Sequence, residues 1–376
     1  MTSKLPQGIR KHSSGVGYEI RISFKDAYSD KSRRISRYTK TLSEAKALQR
    51  QLLAELNNNR TIPSGKETFG FWASKWSEQI LPTLGLKKST QRLYSNLLKS
   101  HLQECSLATK RLRAVTPLDI NRLFYEEASQ LSASTRRNLF NVISKIFQSA
   151  QLAGLVSSSP TRDGATRPRQ DRRESRFLTH SEVQLILEEM ATSRHRGPIE
   201  LISKTGLRRG EALALSWDDV DLAQRKIRIR FTLNSEGERT PPKSARSVRT
   251  LDISDSVYLL LKREKELQGL NKMRLGELWV GNDWDLVFTT DNGRMVNPRN
   301  LLKSLKRASV RIGLEEHPLG GVTVHTLRHY VATHLLNNGV EITTVSRILG
   351  HESIQTTVDL YGHLLDESRK KALNLL

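Results

Sequence analysis

The chain has 376 residues, which is enough for two or three domains with their own cores. Lys and Arg outnumber Asp and Glu by 61 to 39, and this net charge of +22 is expected of a protein that binds a polyanion. A single cysteine, Cys105, excludes an internal disulfide framework and a thiolate zinc site. No apolar run reaches the roughly 18 residues of a membrane span, and MTSKLPQGIRKHSSG has no apolar signal core. We therefore expect a cytoplasmic protein without a membrane partner.

Residues 1–60 predict a small basic domain made of a β-sheet and one helix. GYEIRISF alternates between apolar and polar residues, and RRISRYTKT predicts a second strand. TLSEAKALQRQLLAEL predicts a helix, because Thr41 and Glu44 have capping-box spacing. The segment carries 13 Lys and Arg against 5 Asp and Glu. We expect the strand residues Arg21, Arg33 and Arg37 to be exposed, as a sheet in a DNA major groove requires; a solvated basic module is the alternative.

Residues 66–160 predict a domain of four short helices, which follows the linker composition of NNNRTIPSGK. The candidates are TFGFWASKWSEQI, STQRLYSNLLKSHL, TPLDINRLFYEEAS and STRRNLFNVISKIFQSAQLAG. The third candidate has Thr116 as cap and Pro117 at the first helical position. The basic residues expected to face DNA are Lys87, Lys88, Arg136 and Arg137. A purely structural bundle stays open as the alternative.

Residues 157–176, SSSPTRDGATRPRQDRRESR, have the composition of an interdomain linker that follows a phosphate backbone. A third domain, residues 175–376, begins with FLTHSEVQLILEEM, in which Thr179 and Glu182 have capping-box spacing. In the following TGLRRGEALALSW, Gly206 should end one helix and Arg208 should begin the next. Glu211, three residues after Arg208, can hold its guanidinium by a charge-assisted hydrogen bond. An Arg–Glu pair that only joins two helices is the structural alternative.

KIRIRFTL and SVRTLDI alternate as two strands, and Pro241 and Pro242 interrupt the connection between them. Lys243 of KSARSVR is therefore expected in a turn at the edge of a small sheet. Lys243 is our choice for the basic residue that reaches a phosphate here. Arg246 and Arg249 remain alternatives for contacting the same phosphates.

The last sixty residues carry His325 and Arg328 three positions apart, His351 after a Leu-Gly pair, and Tyr361 ten residues further on. Positions i and i+3 share one helix face, so His325 and Arg328 can point at one object. Two imidazoles, a guanidinium and a phenol, without a carboxylate cluster, suit a phosphodiester better than a metal ion or a peptide. The segment ITTVSRILGHESIQTT also has the outline of a helix-turn-helix, and an H-x-x-R pair alone is usually structural.

These residues resemble the tyrosine recombinase (phage integrase) family. Its patterns stand here as HTLRH from His325, LGH ending at His351, and TTVDLY ending at Tyr361. The pattern T-G-x-R-x-x-E-x-x-x-L-x-W is matched by TGLRRGEALALSW, and K-[TS]-x-x-S-x-R by KSARSVR. The resemblance implies a mostly α multidomain fold with an arm-binding sheet-and-helix domain at the front and a four-helix SAM-like core-binding domain. It also implies an α-rich catalytic domain with a small antiparallel sheet.

The resemblance further implies site-specific cleavage and rejoining of double-stranded DNA through a 3′-phosphotyrosyl link at Tyr361. Arg208 and Arg328 would bind phosphate oxygens with planar forks, and Glu211 would support Arg208. His325 and His351 would exchange protons, Lys243 would protonate the departing 5′-hydroxyl, and the cations would lower the pKa of Tyr361. No metal, ATP or other cofactor is expected. The expected partners are DNA, a homotetramer of this chain on paired sites, and accessory bending or directionality factors.

Two rival interpretations stay open. A type IB topoisomerase would use the same chemistry as a monomer, and a DNA-binding regulator would use the same fold without cutting. A covalent DNA–protein adduct separates the regulator from both enzymes. Strand exchange between two duplexes separates a recombinase from a topoisomerase.

Overall fold

The computed structural model describes residues 5–13, 15–25, 32–57, 67–169, 176–234, 236–242 and 247–362. The chain divides into two units, residues 1–172 and 173–376. The described residues are mainly helical with small antiparallel sheets, which confirms the predicted fold class. Residues 1–172 contain two separate apolar cores, one in the sheet segment and one in the helical segment. The three domain boundaries inferred from the sequence stay a prediction.

The N-terminal segment is a three-stranded antiparallel sheet with one helix. The strands are β1 (Ile9–Lys11), β2 (Tyr18–Lys25) and β3 (Ser32–Thr39), in the order β1-β2-β3, and the helix is α1 (Leu42–Asn57). Glu44 Nα donates to Thr41 Oγ1 at 3.2 Å, and the Glu44 carboxylate accepts from Thr41 Nα at 3.3 Å, so the predicted capping box is present. The helix covers one face of the sheet through an apolar core of Ile9, Ile20, Ile22, Ile35, Ala45 and Leu52.

The strand register corrects one prediction about this sheet. Arg37 lies opposite Ile20 and Arg33 lies opposite Phe24, whereas Arg21 lies opposite Ser36. Residues directly opposite each other in an antiparallel pair share a face, so Arg37 is on the core-facing side. Arg21 and Arg37 are both partly exposed, but Arg37 shares a face with the core residue Ile35, so the expectation of arginines on the outer face is wrong for Arg37.

The helical segment of residues 1–172 contains four helices, as predicted. They are α2 (Phe69–Lys75), which runs into a π-helical turn (Trp76–Ile80), α3 (Lys88–His101), α4 (Pro117–Arg122), which runs into a second π-helical turn (Leu123–Glu127), and α5 (Ala133–Leu152). Thr116 and Asp119 form a capping box at the start of α4 with Pro117 in the first turn. Aromatic residues fill much of the core, and Phe69 stacks on Phe147 at 5.6 Å between ring centroids.

Residues 173–376 form the larger helical unit. Its helices are α6 (His180–Glu189), α7 (Arg196–Thr205), α8 (Arg209–Ala214), α9 (Asp255–Leu275), α10 (Pro298–Arg311), α11 (Val324–Asn337), α12 (Ile342–Leu349) and the helical residues 354–362. Its strands are β4 (Val220–Asp221), β5 (Lys226–Ile229), β6 (Thr232–Leu233), β7 (Arg239–Thr240) and β8 (Arg249–Asp252). They form an antiparallel sheet in the order β4-β5-β8 and a separate β6-β7 pair.

Two helix ends place the residues that the sequence singled out. Helix α7 ends at Gly206, with φ of 66°, and α12 ends at Gly350, with φ of 67°, so both turns use the left-handed region that glycine adopts readily. Helix α11 packs against both α7 and α12. The two turns therefore come to the same side of α11, where His325 and Arg328 lie near its start. None of the described helices is both long and apolar enough to span a membrane.

Candidate active site

Arg328 is the buried centre of the site. It lies in the second turn of α11, whose start is fixed by a capping box between Thr323 and Thr326. The Arg328 side chain is almost fully enclosed, and each end of its guanidinium donates to a backbone carbonyl. Nη1 donates to Gly206 O at 2.6 Å, and Nη2 donates to Leu349 O at 2.7 Å. Arg328 thus links the turn after α7 with the end of α12.

Arg208 is the residue immediately before α8, as the sequence predicted. Its Nη1 donates to Glu211 Oε1 at 2.7 Å, and its backbone N–H donates to Glu211 Oε2 at 3.0 Å. Its Nη2 donates to Gly350 O at 2.8 Å. The Arg208 side chain is 38% exposed, whereas Glu211 is 2% exposed, so a buried carboxylate orients a guanidinium that solvent can still reach.

Arg249, at the start of β8, is a second partner of Glu211. Its Nη2 donates to Glu211 Oε2 at 3.0 Å, and its Nε donates to Ile348 O at 2.8 Å. The side chain is 8% exposed. All three of its nitrogens are engaged inside the protein, and the alternative that Arg249 contacts a DNA phosphate stays a prediction. Burial alone would raise the pKa of Glu211, but Arg249 and Arg208 beside it hold that pKa below its ordinary value.

Tyr361 and His351 lie on the far side of the α12 turn. Tyr361 is 1% exposed and packs among Ala332, Leu336, Val345 and Leu349, although the sequence around it, VDLYGHL, gave no sign of burial. Its hydroxyl is hydrogen-bonded to His329 Nδ1 at 2.5 Å. His351 Nδ1 is hydrogen-bonded to the buried Thr357 Oγ1 at 2.8 Å, so the helical residues 354–362 hold both side chains.

The histidines of the site are held in the neutral form near pH 7. Burial first, and the cations Arg328 and Arg208 next, lower the pKa of His351 to about 4. Burial, His325 and Arg328 lower the pKa of His329 to about 4. The pKa of His325 is lowered by partial burial and by Arg328, Arg208 and Arg209. His325 is exposed, and the three arginines disfavour a further positive charge on its imidazole.

The hydroxyl of Tyr361 has a raised pKa. Burial raises the pKa of its hydroxyl to about 12, and the opposing effect of Arg328 is the smaller one. Arg328 thus acts on the pKa of Tyr361 in the expected direction, but burial outweighs it in this structure. Arg328 itself has its pKa lowered to about 9, by burial first and by the neighbouring Arg208 next. The phenol is consequently protonated and lies beside a neutral imidazole.

The structure thus places the following residues around α11 and the α12 turn: Arg208, Glu211, His325, Arg328, His351 and Tyr361. Lys243 and Arg246 lie outside the described residues, so their predicted role stays a prediction. The strand that leads toward them, β7, is anchored by Arg239, whose Nε donates to Ala214 O at 3.1 Å. Arg239 Nη2 also donates to Asp219 Oδ2 at 3.2 Å, which ties this hairpin to the segment after α8.

The residues predicted to bind DNA in the helical segment lie at helix starts. Lys87 and Lys88 begin α3 and are exposed, while Arg136 and Arg137 lie in the first turn of α5 and are partly buried. A helix N-terminus carries partial positive charge, so cations there are unfavourable without an anion nearby. In the sheet, Arg21 forms an ion pair with Glu19 at 2.9 Å. DNA contact by each of these residues stays a prediction.

Sequence reasoning missed the role of His329. In the sequence, His329 is the last residue of the HTLRH pattern. Its position four residues after His325 indicates that the two side chains share a helix face. What the sequence did not contain was the fold of residues 354–362 back onto α11, which brings the Tyr361 hydroxyl to His329. Among the described residues, no group of three or more His, Cys, Asp or Glu side chains could hold a metal ion.

Comparison with known proteins identifies the family of the chain. The phage integrase family matches residues 176–368. A XerC-like tyrosine recombinase from Caldanaerobacter subterraneus is 25% identical over 96% of this chain and 95% of its own. The ICEBs1 integrase of Bacillus subtilis is 24% identical over 98% of both chains.

Solved structures give the same fold. The Tn1549 transposon integrase, in complex with a circular intermediate DNA, has a TM-score of 0.67 at 20% identity and covers 82% of this chain and 99% of its own. A lambda integrase dimer bound to a COC′ core site has a TM-score of 0.61 at 19% identity over 96% of both chains. The chain belongs to the phage integrase family, the site-specific recombinases of the tyrosine type, which confirms the family inferred from the sequence.

Proposed function

We propose that the protein cleaves and rejoins double-stranded DNA at specific sites by attack of Tyr361 on a phosphodiester, to integrate or excise a mobile element. The observation that carries the proposal is the pair of guanidiniums that is fixed at the end of α12. Arg328 and Arg208 donate to the consecutive carbonyls of Leu349 and Gly350, directly before His351. Planar guanidiniums held in this way suit the non-bridging oxygens of a phosphate.

In the proposed reaction, the Tyr361 oxygen forms a bond to phosphorus while the bond from phosphorus to the 5′ oxygen breaks. The products are a 3′-phosphotyrosyl link and a free 5′-hydroxyl. Arg208 and Arg328 stabilise the charge that develops on the non-bridging oxygens. The neutral His329 Nδ1, at 2.5 Å, is a ready acceptor for the phenol proton, and His325 and His351 are further sites for hydrogen bonding and proton exchange.

The departing 5′ oxygen needs a proton, and Lys243 is the residue that we assign to this task. Because the phosphotyrosyl ester conserves the energy of the broken bond, attack by a 5′-hydroxyl reverses the reaction without ATP. The cations take the place that a divalent ion occupies in other phosphoryl-transfer sites, so the reaction should need no metal. Glu211 supports the reaction by orienting Arg208.

The front of the chain would supply DNA affinity. We assign residues 1–60 to an arm-type site, residues 66–160 to the core site and residues 175–376 to catalysis. Lys87, Lys88, Arg136 and Arg137 would contact backbone phosphates, because cations and helix N-termini coincide there. In the sheet, Arg21 lies on the face opposite the core. The predicted location is the cytoplasm of a bacterial host.

Strand exchange requires more than one active site, and we propose a homotetramer on two paired DNA sites. The lambda integrase, whose fold is similar, has been seen as a tetramer bound to a Holliday junction. The Tn1549 and ICEBs1 relatives are named for mobile elements, which favours integration and excision of such an element. Accessory bending or directionality factors would be further partners. We expect the tail after Tyr361 to dock on a neighbouring protomer, with packing within its own chain as the alternative; beyond residue 362 it lies outside the described residues.

The test is covalent trapping on a nicked duplex whose core site is selected from random DNA by binding to the wild-type protein. The wild type should form a phosphotyrosyl adduct in EDTA, and Tyr361→Phe should bind the duplex without forming an adduct. Tyr330→Phe is the matched control, because Tyr330 is also buried on this unit and hydrogen-bonded, to His180 at 2.8 Å. Adduct formation by Tyr361→Phe, or complete loss of adduct in EDTA with recovery in Mg²⁺, would refute the mechanism. Strand exchange between two duplexes would exclude a topoisomerase.

A further inference from the structure

Three successive carbonyls at the end of α12 each accept a hydrogen bond from a different arginine. Arg249 Nε donates to Ile348 O at 2.8 Å, Arg328 Nη2 donates to Leu349 O at 2.7 Å, and Arg208 Nη2 donates to Gly350 O at 2.8 Å. The last carbonyls of a helix have no partner within the helix and carry its negative partial charge. The end of α12 therefore fixes the guanidiniums of Arg208 and Arg328, which are assigned to the phosphate, and that of Arg249.

Arg249 makes more hydrogen bonds inside the protein than the other two arginines. Its Nη1 donates to Ser247 O at 3.0 Å and lies 3.4 Å from Glu211 Oε1, while its Nη2 donates to Glu211 Oε2 at 3.0 Å. Together with the bond to Ile348 O, these contacts engage all three nitrogens inside the protein. Any effect of Arg249 on the reaction must therefore pass through the groups that it touches.

Glu211 is the group that connects Arg249 to the reaction. The Glu211 carboxylate accepts from Arg208 Nη1 on one oxygen and from Arg249 Nη2 on the other. A buried carboxylate paired with Arg208 alone would cancel the charge of that guanidinium. With Arg249 present, the carboxylate is balanced from its buried side, and Arg208 keeps both a fixed direction and a net positive charge for a phosphate.

The approach of Arg249 to α12 also explains one position of the Leu-Gly-His pattern. A Cβ at Gly350 would lie 2.6 Å from Arg249 Nη1 and 2.8 Å from its Cζ, which is too close for any side chain. Gly350 also has φ of 67°. Glycine is thus required here for the turn and for the space that the Arg249 guanidinium occupies.

We propose that Arg249 is a positioning residue for DNA strand cleavage, which acts through Glu211 and the Ile348 carbonyl to hold Arg208 in place. This inference rests on the function proposed above. It assigns Arg249, the last residue of KSARSVR, to the support of Arg208, and it leaves phosphate contact in that segment to Lys243, with Arg246 as the alternative. Loss of the Arg249 guanidinium should therefore slow DNA cleavage in a protein that still folds and still binds DNA.

The experiment measures single-turnover cleavage of the selected nicked duplex at saturating protein, with the first-order rate and the final amplitude recorded separately. Arg249→Gln should lower the rate about 100-fold, as loss of a guanidinium-held geometry does, with duplex affinity within about twofold of wild type. Arg249→Lys keeps the positive charge and the aliphatic part of the side chain, so it provides a second measurement of the cleavage rate if Arg249→Gln does not fold. It should be slowed too, because an ammonium cannot match three fixed acceptors. Arg263→Gln is the control, because Arg263 forms an ion pair with Glu200 at 3.1 Å on the same unit. This variant should cleave DNA at the wild-type rate.

A double variant tests whether Arg249 acts through Glu211. If it does, Arg249→Gln combined with Glu211→Gln should be no slower than Glu211→Gln alone, since residues that act as one unit are not additive. Multiplied losses would overturn the inference, as would an unchanged rate in Arg249→Gln or a loss confined to the amplitude. A wild-type protein without any adduct would overturn the proposed function and this inference with it, whereas wild-type cleavage with an unimpaired Arg249→Gln overturns the inference alone.

Discussion

The hydroxyl of Tyr361 and Nδ1 of His329 are hydrogen-bonded at 2.5 Å, between a helix end and the middle of α11. The two rings lie edge to face with 5.5 Å between their centroids, and Phe177 meets the His329 ring from another side. The phenol is 1% exposed, so water is not available to replace this partner. The contact therefore fixes the Tyr361 hydroxyl, the proposed nucleophile, beside the imidazole of His329.

We expect this contact to be visible as a coupling in stability. Tyr361→Phe leaves His329 Nδ1 without its partner, and His329→Leu leaves a buried phenol without one, so each should cost about 1–3 kcal/mol. The double variant leaves neither group unpaired, so its loss should be smaller than the sum by about 0.5–1.5 kcal/mol. Urea unfolding of the wild type, the two single variants and the double variant gives the four free energies of unfolding, provided that the dependence on urea concentration is the same in all four.

A second cycle at Tyr330 and His180 provides the comparison. Their hydrogen bond is 2.8 Å long, but His180 is exposed, and water can replace it when one partner is removed. The coupling there should be the weaker of the two. Strictly additive losses at Tyr361 and His329 would show that the two side chains do not depend on each other.

The spacing of a few residues was enough to assemble most of this site from sequence. Gly206 and Arg208 occur where a helix must end and another begin, and Glu211 follows Arg208 at the distance of one helical turn. Such signals depend only on residues close in sequence, so they can be recognised without knowledge of the fold. The same holds for the cap at Thr116 and the capping box at Thr179, which the structure confirms.

The contacts that sequence reasoning missed are all long-range. Arg249 reaches the Ile348 carbonyl from 99 positions away, and a backbone carbonyl has no signature in the sequence. The burial of Tyr361 depends on α11 and α12, whereas its neighbours Asp359 and Gly362 suggested an exposed segment. The error at Arg37 was of another kind, because the period of two around Ile35 already excluded it from the outer face.

Arg208→Lys should be severely impaired in cleavage. The guanidinium of Arg208 binds Glu211 with one nitrogen and Gly350 O with the other, and a single ammonium cannot do both and also meet a phosphate. We expect the first-order cleavage rate to fall at least about 100-fold, with little change in duplex binding. Arg225→Lys is the control, because Arg225 forms its ion pair with Asp255 at the surface. A rate within about threefold of wild type would contradict the argument from bidentate geometry.

The neutral histidines predict a loss of stability in mild acid. In the folded protein the pKa of His329 and that of His351 are about 4, against an ordinary value of 6.5. Between these values the unfolded chain binds more protons than the folded one, so stability falls as pH decreases from about 6.5 to about 4. After allowance for solvent screening, each histidine should contribute about 1–2 kcal/mol to that loss.

A histidine variant separates this effect from the titration of carboxylates. His351→Gln cannot gain a proton, so its stability should be less dependent on pH across that window than the stability of the wild type. Urea midpoints at about pH 7 and about pH 5 measure the difference. Equal pH dependence in both proteins would show that His351 does not carry the proposed shift.

The sheet at the front of the chain has its own apolar core, and its outer face differs from the one expected. By register, Arg21 shares that face with Ser36, while Tyr38 lies opposite Glu19 and is 60% exposed. Tyr38 donates to Glu19 Oε1 at 3.3 Å, and Glu19 forms an ion pair with Arg21. An exposed aromatic ring between polar partners, in a segment with 13 basic and 5 acidic residues, suits contact with a polyanion.

We therefore expect a fragment of residues 61–376 to retain cleavage of the core site and to lose binding to a second, distinct arm sequence. Recombination of full attachment sites should fall by about 100-fold or more, because occupancy of two sites by one chain raises the effective concentration at each. Within the full chain, Arg21→Gln should weaken arm binding several-fold and reduce its salt dependence by about one phosphate contact. Arg37→Gln, on the core-facing side, should have the smaller effect on arm binding. Footprints decide the matter: if the intact protein and the fragment protect the same DNA, the front domain does not bind an arm site.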